Sequence, residues 1–274
     1  MQATLSGKTV IVTGAARGIG RAIVEKLVSR DANVMVAGSN EEGLKRVVQD
    51  LQTRMTEAKD KERVAHLACD ISQKLGVNNL ISATISAFDR IDALITTIVD
   101  FEKGDLLDLH VDVLDHLVAA NLRSAFLLTQ LAAKKMIAQK ENTASREADC
   151  AIVHVSALSG LLSSPEIGAH AAACAGLQQL TRSFAGALAP HGVRVNGVAP
   201  GGVMTDTLKE SIAATPDLRS TLIARTPLGR IGEASEAAEA ALFLASERAS
   251  FITGQTLIVD GGRSILDPLA AANV

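Results

Sequence analysis

Apolar and polar positions follow two different periods along this chain. Seven short runs are almost wholly aliphatic or β-branched: KTVIVTG, NVMVAGS, VAHLACD, IDALITTIV, CAIVHVSA, VRVNGVAP and TLIVDGG. A strand apolar at nearly every position has no face for water, so these runs predict parallel strands covered on both sides. Between them the spacing turns helical. Leu114, Leu117, Val118, Leu122, Ala125 and Phe126 recur at helical intervals, as do Leu177, Leu180, Phe184 and Leu188. Each set predicts an amphipathic helix with one stripe on the sheet. Regular succession of strand and helix places the chain in the α/β class, as a doubly wound parallel sheet of about seven strands with helices on both faces. No internal repeat or low-complexity linker interrupts the pattern, and 274 residues suit one domain spanning 1–274. The rhythm breaks twice. AQKENTASREAD, residues 138–149, predicts a helix end and exposed loop, and the segment from about 203 to 232, with Pro216 and Pro227, predicts a cover over the sheet edge.

Composition narrows the function classes. Lysine and arginine total 27 against 30 acids, well dispersed, which argues against nucleic acid or an anionic membrane as partner. The N-terminal MQATLSGKTVIVTG lacks a secretory pattern, and no apolar run approaches the roughly 18 residues that span a bilayer, so a cytoplasmic protein is expected. Cys69, Cys150 and Cys174 are too scattered for a disulfide framework or a paired zinc knuckle, and reduced thiols are expected. The chain contains no tyrosine and no tryptophan.

The first strand leads directly into VTGAARGIGRAIVEKLV. Glycines at this junction serve phosphate binding: Gly14 for the tight turn, Gly18 for close backbone approach to a pyrophosphate, Gly20 for helix-to-strand packing. With the spacing TGxxxGIG this loop resembles that of the short-chain dehydrogenase/reductase family, and the resemblance runs from about Gly7 to Gly262. VAANLRSAFLLTQ resembles the family helix bearing a catalytic asparagine, here Asn121. APHGVRVNGVAPGGVMTDT resembles the sixth strand and the turn beside the nicotinamide, with Pro200, Gly201 and Thr205 in place. LACDIS puts Asp70, followed by Ile71, where the family meets the adenine, and FITGQTLIVDGG resembles the closing strand. The resemblance implies a Rossmann fold, NAD or NADP, and homo- or hetero-oligomers, dimers or tetramers, of subunits of this family. The implied cofactor residues are Gly14, Arg17, Gly18, Ile19, Gly20, Ser39, Asp70, Ile71, Pro200 and Gly201. After the second strand stand Gly38 and Ser39, neither an acid for the NAD ribose nor an arginine for the NADP phosphate. Arg17 resembles the basic residue of NADP-preferring members and tilts the expectation to NADP.

The proton-delivering set departs from the family. Members of the family use a serine, a tyrosine and a lysine four residues after the tyrosine. Here those positions are Ala157, His170 and Cys174, so that HAAAC replaces YxxxK and Asn121 alone remains. Strand alternation turns Ser156 to the opposite face from Ala157. Cysteine cannot supply the ammonium that holds the ribose and lowers the phenol's pKa. His170, Cys174 and a distant His154 fall short of a zinc set. Where the family has NNAG the chain has TTIV, Thr96 to Val99, and Val99 is expected to obstruct the adenosine half of the site. The expectation is a catalytically impaired or inactive subunit beside an active homologous dehydrogenase or reductase, with cofactor binding weak or lost. The alternatives are an oxidoreductase of a carbonyl or alcohol that works through His170 and Asn121, and a dinucleotide sensor.

Overall fold

All seven apolar runs form strands. The structure, a computed structural model, describes residues 5–97, 100–142, 149–162 and 164–265. In chain order the elements are β1 (Thr9–Thr13), α1 (Gly18–Val28), β2 (Asn33–Gly38), α2 (Glu41–Thr53), α3 (Ala58–Lys61), β3 (Val64–Ala68), α4 (Lys74–Phe88), β4 (Ala93–Thr97), α5 (Val111–Val118), α6 (Ser124–Asn142), β5 (Cys150–Val155), α7 (Gly168–Leu188), β6 (Val193–Pro200), β7 (Val203–Met204), α8 (Asp206–Ala214), α9 (Leu218–Ala224), β8 (Gly232–Glu233), α10 (Ala234–Ala245) and β9 (Thr256–Val259). The sheet runs β3-β2-β1-β4-β5-β6-β9, and every pairing in it is parallel. Alternation along β1 shows why each strand had to be apolar throughout: Val10 and Val12 pack with Ile23, Leu44 and Leu242 of α1, α2 and α10, while Ile11 packs with Leu80 and Leu128 of α4 and α6 on the opposite face. The strand order reverses between β1 and β4, and a doubly wound sheet opens its crevice at such a switch, beyond the carboxyl ends of the strands.

Two helical expectations are refined. The helix read through Leu114 to Phe126 is divided by one π-turn, Ala119–Arg123, with Asn121 inside it. The turn accommodates one extra residue; Leu117 and Ala125 are buried, while Leu114 and Phe126 remain 38% exposed. Phe126 meets Phe184 of α7, with ring centroids 5.4 Å apart. The segment 203–232 holds β7, α8, α9 and β8, and much of it lines the crevice. No helix among the described residues is long and apolar enough to cross a membrane.

Candidate functional site

An open cleft of about 1260 Å³ lies over the carboxyl ends of the strands. Its floor is the turn between β1 and α1, and that turn is held by packing. A Cβ on Gly20 would lie 2.4 Å from the Gly14 carbonyl oxygen, so only glycine lets the helix start so close to the strand. Gly18 sits at φ +58°, and its open side faces Thr205. Arg17 occupies the N-cap of α1 with extended backbone and places no side-chain cap on the helix. The first-turn N–H groups of α1 are therefore left for an anion, in the field of the helix dipole. Gly14, Arg17, Gly18, Ile19, Gly20, Ser39, Pro200 and Gly201 all line this cleft, and the loop fits a dinucleotide pyrophosphate.

Two expected cofactor residues do not line it. The Asp70 carboxylate is exposed and turned onto its own loop, accepting from the backbone N–H of Ser72 at 2.9 Å and from its hydroxyl at 2.7 Å. Ile71 is buried in the apolar layer with Met35 and Leu80. Beyond β2 the wall is built by Ser39, Asn40 and Arg46 instead. Asn40 caps α2 through the Gly43 N–H at 2.9 Å, and Arg46 pairs with Glu42 at 3.3 Å. Val99, expected as an obstruction, lies outside the described residues.

The opposite wall carries the substituted chemistry. Ala157 stands two residues past the end of β5 and offers only a methyl group to the cleft. The Ser156 hydroxyl is committed elsewhere, donating to the Val198 carbonyl at 3.3 Å and accepting from Gln178 at 3.2 Å. His170 and Cys174 share the buried face of α7, one turn apart, with Nε2 and Sγ 3.4 Å from each other. Ser159 donates to the same Sγ at 3.6 Å. Burial pushes the Cys174 thiol up to about 11, outweighing the bond from Ser159 that favours the thiolate. Burial likewise lowers the His170 pKa, and the nearby Asp100 carbonyl opposes this only in part. The pair is thus neutral imidazole and protonated thiol. It forms neither an activated nucleophile nor a cation for a ribose.

Asn121 is buried and turned to the loop after β4. Its Nδ2 donates to the Asp100 carbonyl at 2.8 Å, and its Oδ1 accepts from the Asp100 N–H at 3.2 Å. Neither Asn121 nor Cys174 reaches the cleft lining. The fixed backbone of Asp100 directs two neighbours that the sequence reading missed. Its carboxylate meets His116 Nε2 at 3.0 Å, and the next residue, Phe101, covers His170 edge-on at a centroid distance of 5.1 Å. The available signal was position, since residues just past a strand's carboxyl end border the crevice in this architecture. His154 is structural: its ring is clamped between Thr129 at 2.8 Å and Thr181 at 2.9 Å, and full burial lowers its pKa to about 4. No group of metal-binding side chains occurs among the described residues.

Comparisons with known proteins agree with this architecture. A family model described as enoyl-(acyl carrier protein) reductase matches residues 14–264. The chain is 34% identical over 259 residues to a 2,5-dichloro-2,5-cyclohexadiene-1,4-diol dehydrogenase of Sphingobium indicum, covering 94% of this chain and 97% of the relative. It is 32% identical to an L-rhamnose 1-dehydrogenase (NAD(P)(+)) of a Sphingomonas species, with 94% and 96% covered. Among solved structures, a short-chain type dehydrogenase/reductase from Mycobacterium marinum superposes with a TM-score of 0.85 at 26% identity, over 96% of this chain and 98% of that one. With its seven-stranded parallel sheet, its glycine turn and these matches along nearly its whole length, the chain belongs to the short-chain dehydrogenase/reductase family.

Proposed function

We propose that this chain is a dinucleotide-binding member of its family that has lost the family's proton delivery, and that it serves as a subunit beside an active homologous dehydrogenase or reductase. One observation carries the reading: Ala157, His170 and Cys174 hold the three proton-delivering positions, and the last two form a buried, neutral pair. Reduction of a ketone builds negative charge on oxygen, and an acid within hydrogen-bond reach must neutralise it. A bound nicotinamide nucleotide would supply the hydride. The chain's own groups would hold it, with the glycine-turn and α1 amides on the pyrophosphate and Arg17 beside the adenosine ribose. Arg17 makes no ion pair among the described residues and suits a 2′-phosphate, which favours NADP. The subunit role is supported by the exposed apolar residues Leu114 and Phe126 along α5 and α6, which leave apolar surface for a partner subunit.

Calorimetric titration with NADPH and NADH, followed by a carbonyl-reduction assay, tests this reading. Binding of NADPH without turnover, and co-purification with a co-expressed homologue that has an intact YxxxK, are the expected results. A second reading has its own support. His170 lines the cleft, and its buried Nδ1 has no well-formed hydrogen bond among the described residues, which leaves one ring nitrogen uncommitted. That reading makes the chain an atypical reductase, and it requires NADPH-dependent turnover that His170→Ala abolishes.

A further inference from the structure

Among the described residues, four arginines and no lysine line the cleft. Two of them are neutralised by neighbours: Arg21 pairs with Glu25 and Asp50, both at 3.0 Å, and Arg46 pairs with Glu42. Arg17 belongs to the glycine turn. The fourth, Arg263, follows β9 and has no ion pair or side-chain hydrogen bond among the described residues, although it is partly buried. Its obvious partner is already engaged. Asp260, three residues earlier, accepts from the Gly262 N–H at 2.8 Å through one oxygen and from the Ser264 N–H at 2.7 Å through the other. The turn that carries Arg263 is fixed on both sides. It packs on Thr226 and Pro227, and it abuts Gly201, where an added Cβ would lie 2.6 Å from the Asp260 Cβ. A guanidinium held on such a rigid turn and partly removed from water gains most from an oxyanion, which it can bind through two parallel N–H groups.

We propose that Arg263 anchors an anion subsite beside the Pro200–Gly201 turn, and that the small molecule taken there carries a carboxylate on an apolar body. The body is assigned by the surroundings: Leu158, Val203 and Leu222 line the same cleft, and Leu158 reaches the Gly201 side of the turn. This assignment concerns ligand binding alone and stands whether or not the chain turns its ligand over.

The test is calorimetric titration of the whole chain with 2-oxohexanoate and with its methyl ester, with and without saturating NADPH. The acid is expected to bind at least about tenfold more tightly than the ester. Arg263→Gln should erase that preference, and Arg263→Lys should retain part of it, with thermal midpoints of both variants within a few degrees of the parent. Equal binding of acid and ester, binding of neither, or a preference that survives in Arg263→Gln would overturn the proposal. Acid binding that persists without NADPH supports the subsite even if dinucleotide binding fails. Competition between the acid and NADPH would instead mean that Arg263 holds a cofactor phosphate, and would overturn it.

Discussion

The glycine turn and the wall formed by β5 and α7 face each other across one cleft; the first carries the family's residues and the second does not. The phosphate side is made of backbone N–H groups, fixed by a packing constraint between Gly20 and Gly14 that the fold itself requires. The proton side is made of side chains placed on a strand end and a helix face. Those side chains can be exchanged while the backbone stays: His170 and Cys174 still belong to the buried face of α7, and Ala157 still lies just past β5. A site built from backbone lasts as long as the fold does, whereas a site built from side chains is lost with its residues.

The largest expected effect comes from breaking the phosphate side. Gly20→Val forces a side chain into the Gly14 carbonyl, and we expect about 3 kcal/mol of lost stability together with loss of measurable NADPH binding. Urea unfolding and calorimetry check both, and retained NADPH affinity would show that the turn is not the cofactor platform.

A second prediction separates the cleft from the layer behind β5. The His154 pKa is about 4 in the folded chain and near the usual 6.5 when unfolded. Over that interval the unfolded state binds the additional proton. Stability is therefore fully present above about pH 6.5 and falls as the pH drops toward 4, by about 3 kcal/mol from this residue. His170, also lowered by burial, acts in the same direction. Urea midpoints at pH 7 and pH 4.5 should show a smaller difference in His154→Gln than in the parent. An equal difference in both would remove His154 from the account.

The smallest effect sharpens the phosphate side. Arg17→Ala should weaken NADPH binding about tenfold, roughly 1.4 kcal/mol, and leave NADH binding nearly unchanged. Equal losses for both nucleotides would place Arg17 on the pyrophosphate instead of the 2′-phosphate.

Much of this architecture was legible in the sequence because burial on both faces leaves a strand no choice but apolar residues; all seven runs from KTVIVTG to TLIVDGG are strands. The glycine turn was legible because its constraint is local. The π-turn at Ala119–Arg123 was not, since one extra backbone residue leaves the apolar spacing nearly intact. Asp70 was placed by resemblance, and the fold turns its carboxylate onto Ser72. The Asp100–His116 contact and the absence of an ion pair for Arg263 among the described residues depend on where loops land in space, and no short-range pattern carries that information.

On the proposed reading, the cleft holds a dinucleotide but cannot finish a reduction because Ala157, His170 and Cys174 supply no proton donor. The most direct measurement is NADPH oxidation by the purified chain with a panel of ketones, set beside the triple variant Ala157→Ser, His170→Tyr, Cys174→Lys. The account predicts no turnover above background for the parent and a gain of at least about a hundredfold for the triple variant. Turnover by the parent equal to or faster than that of the triple variant would contradict it.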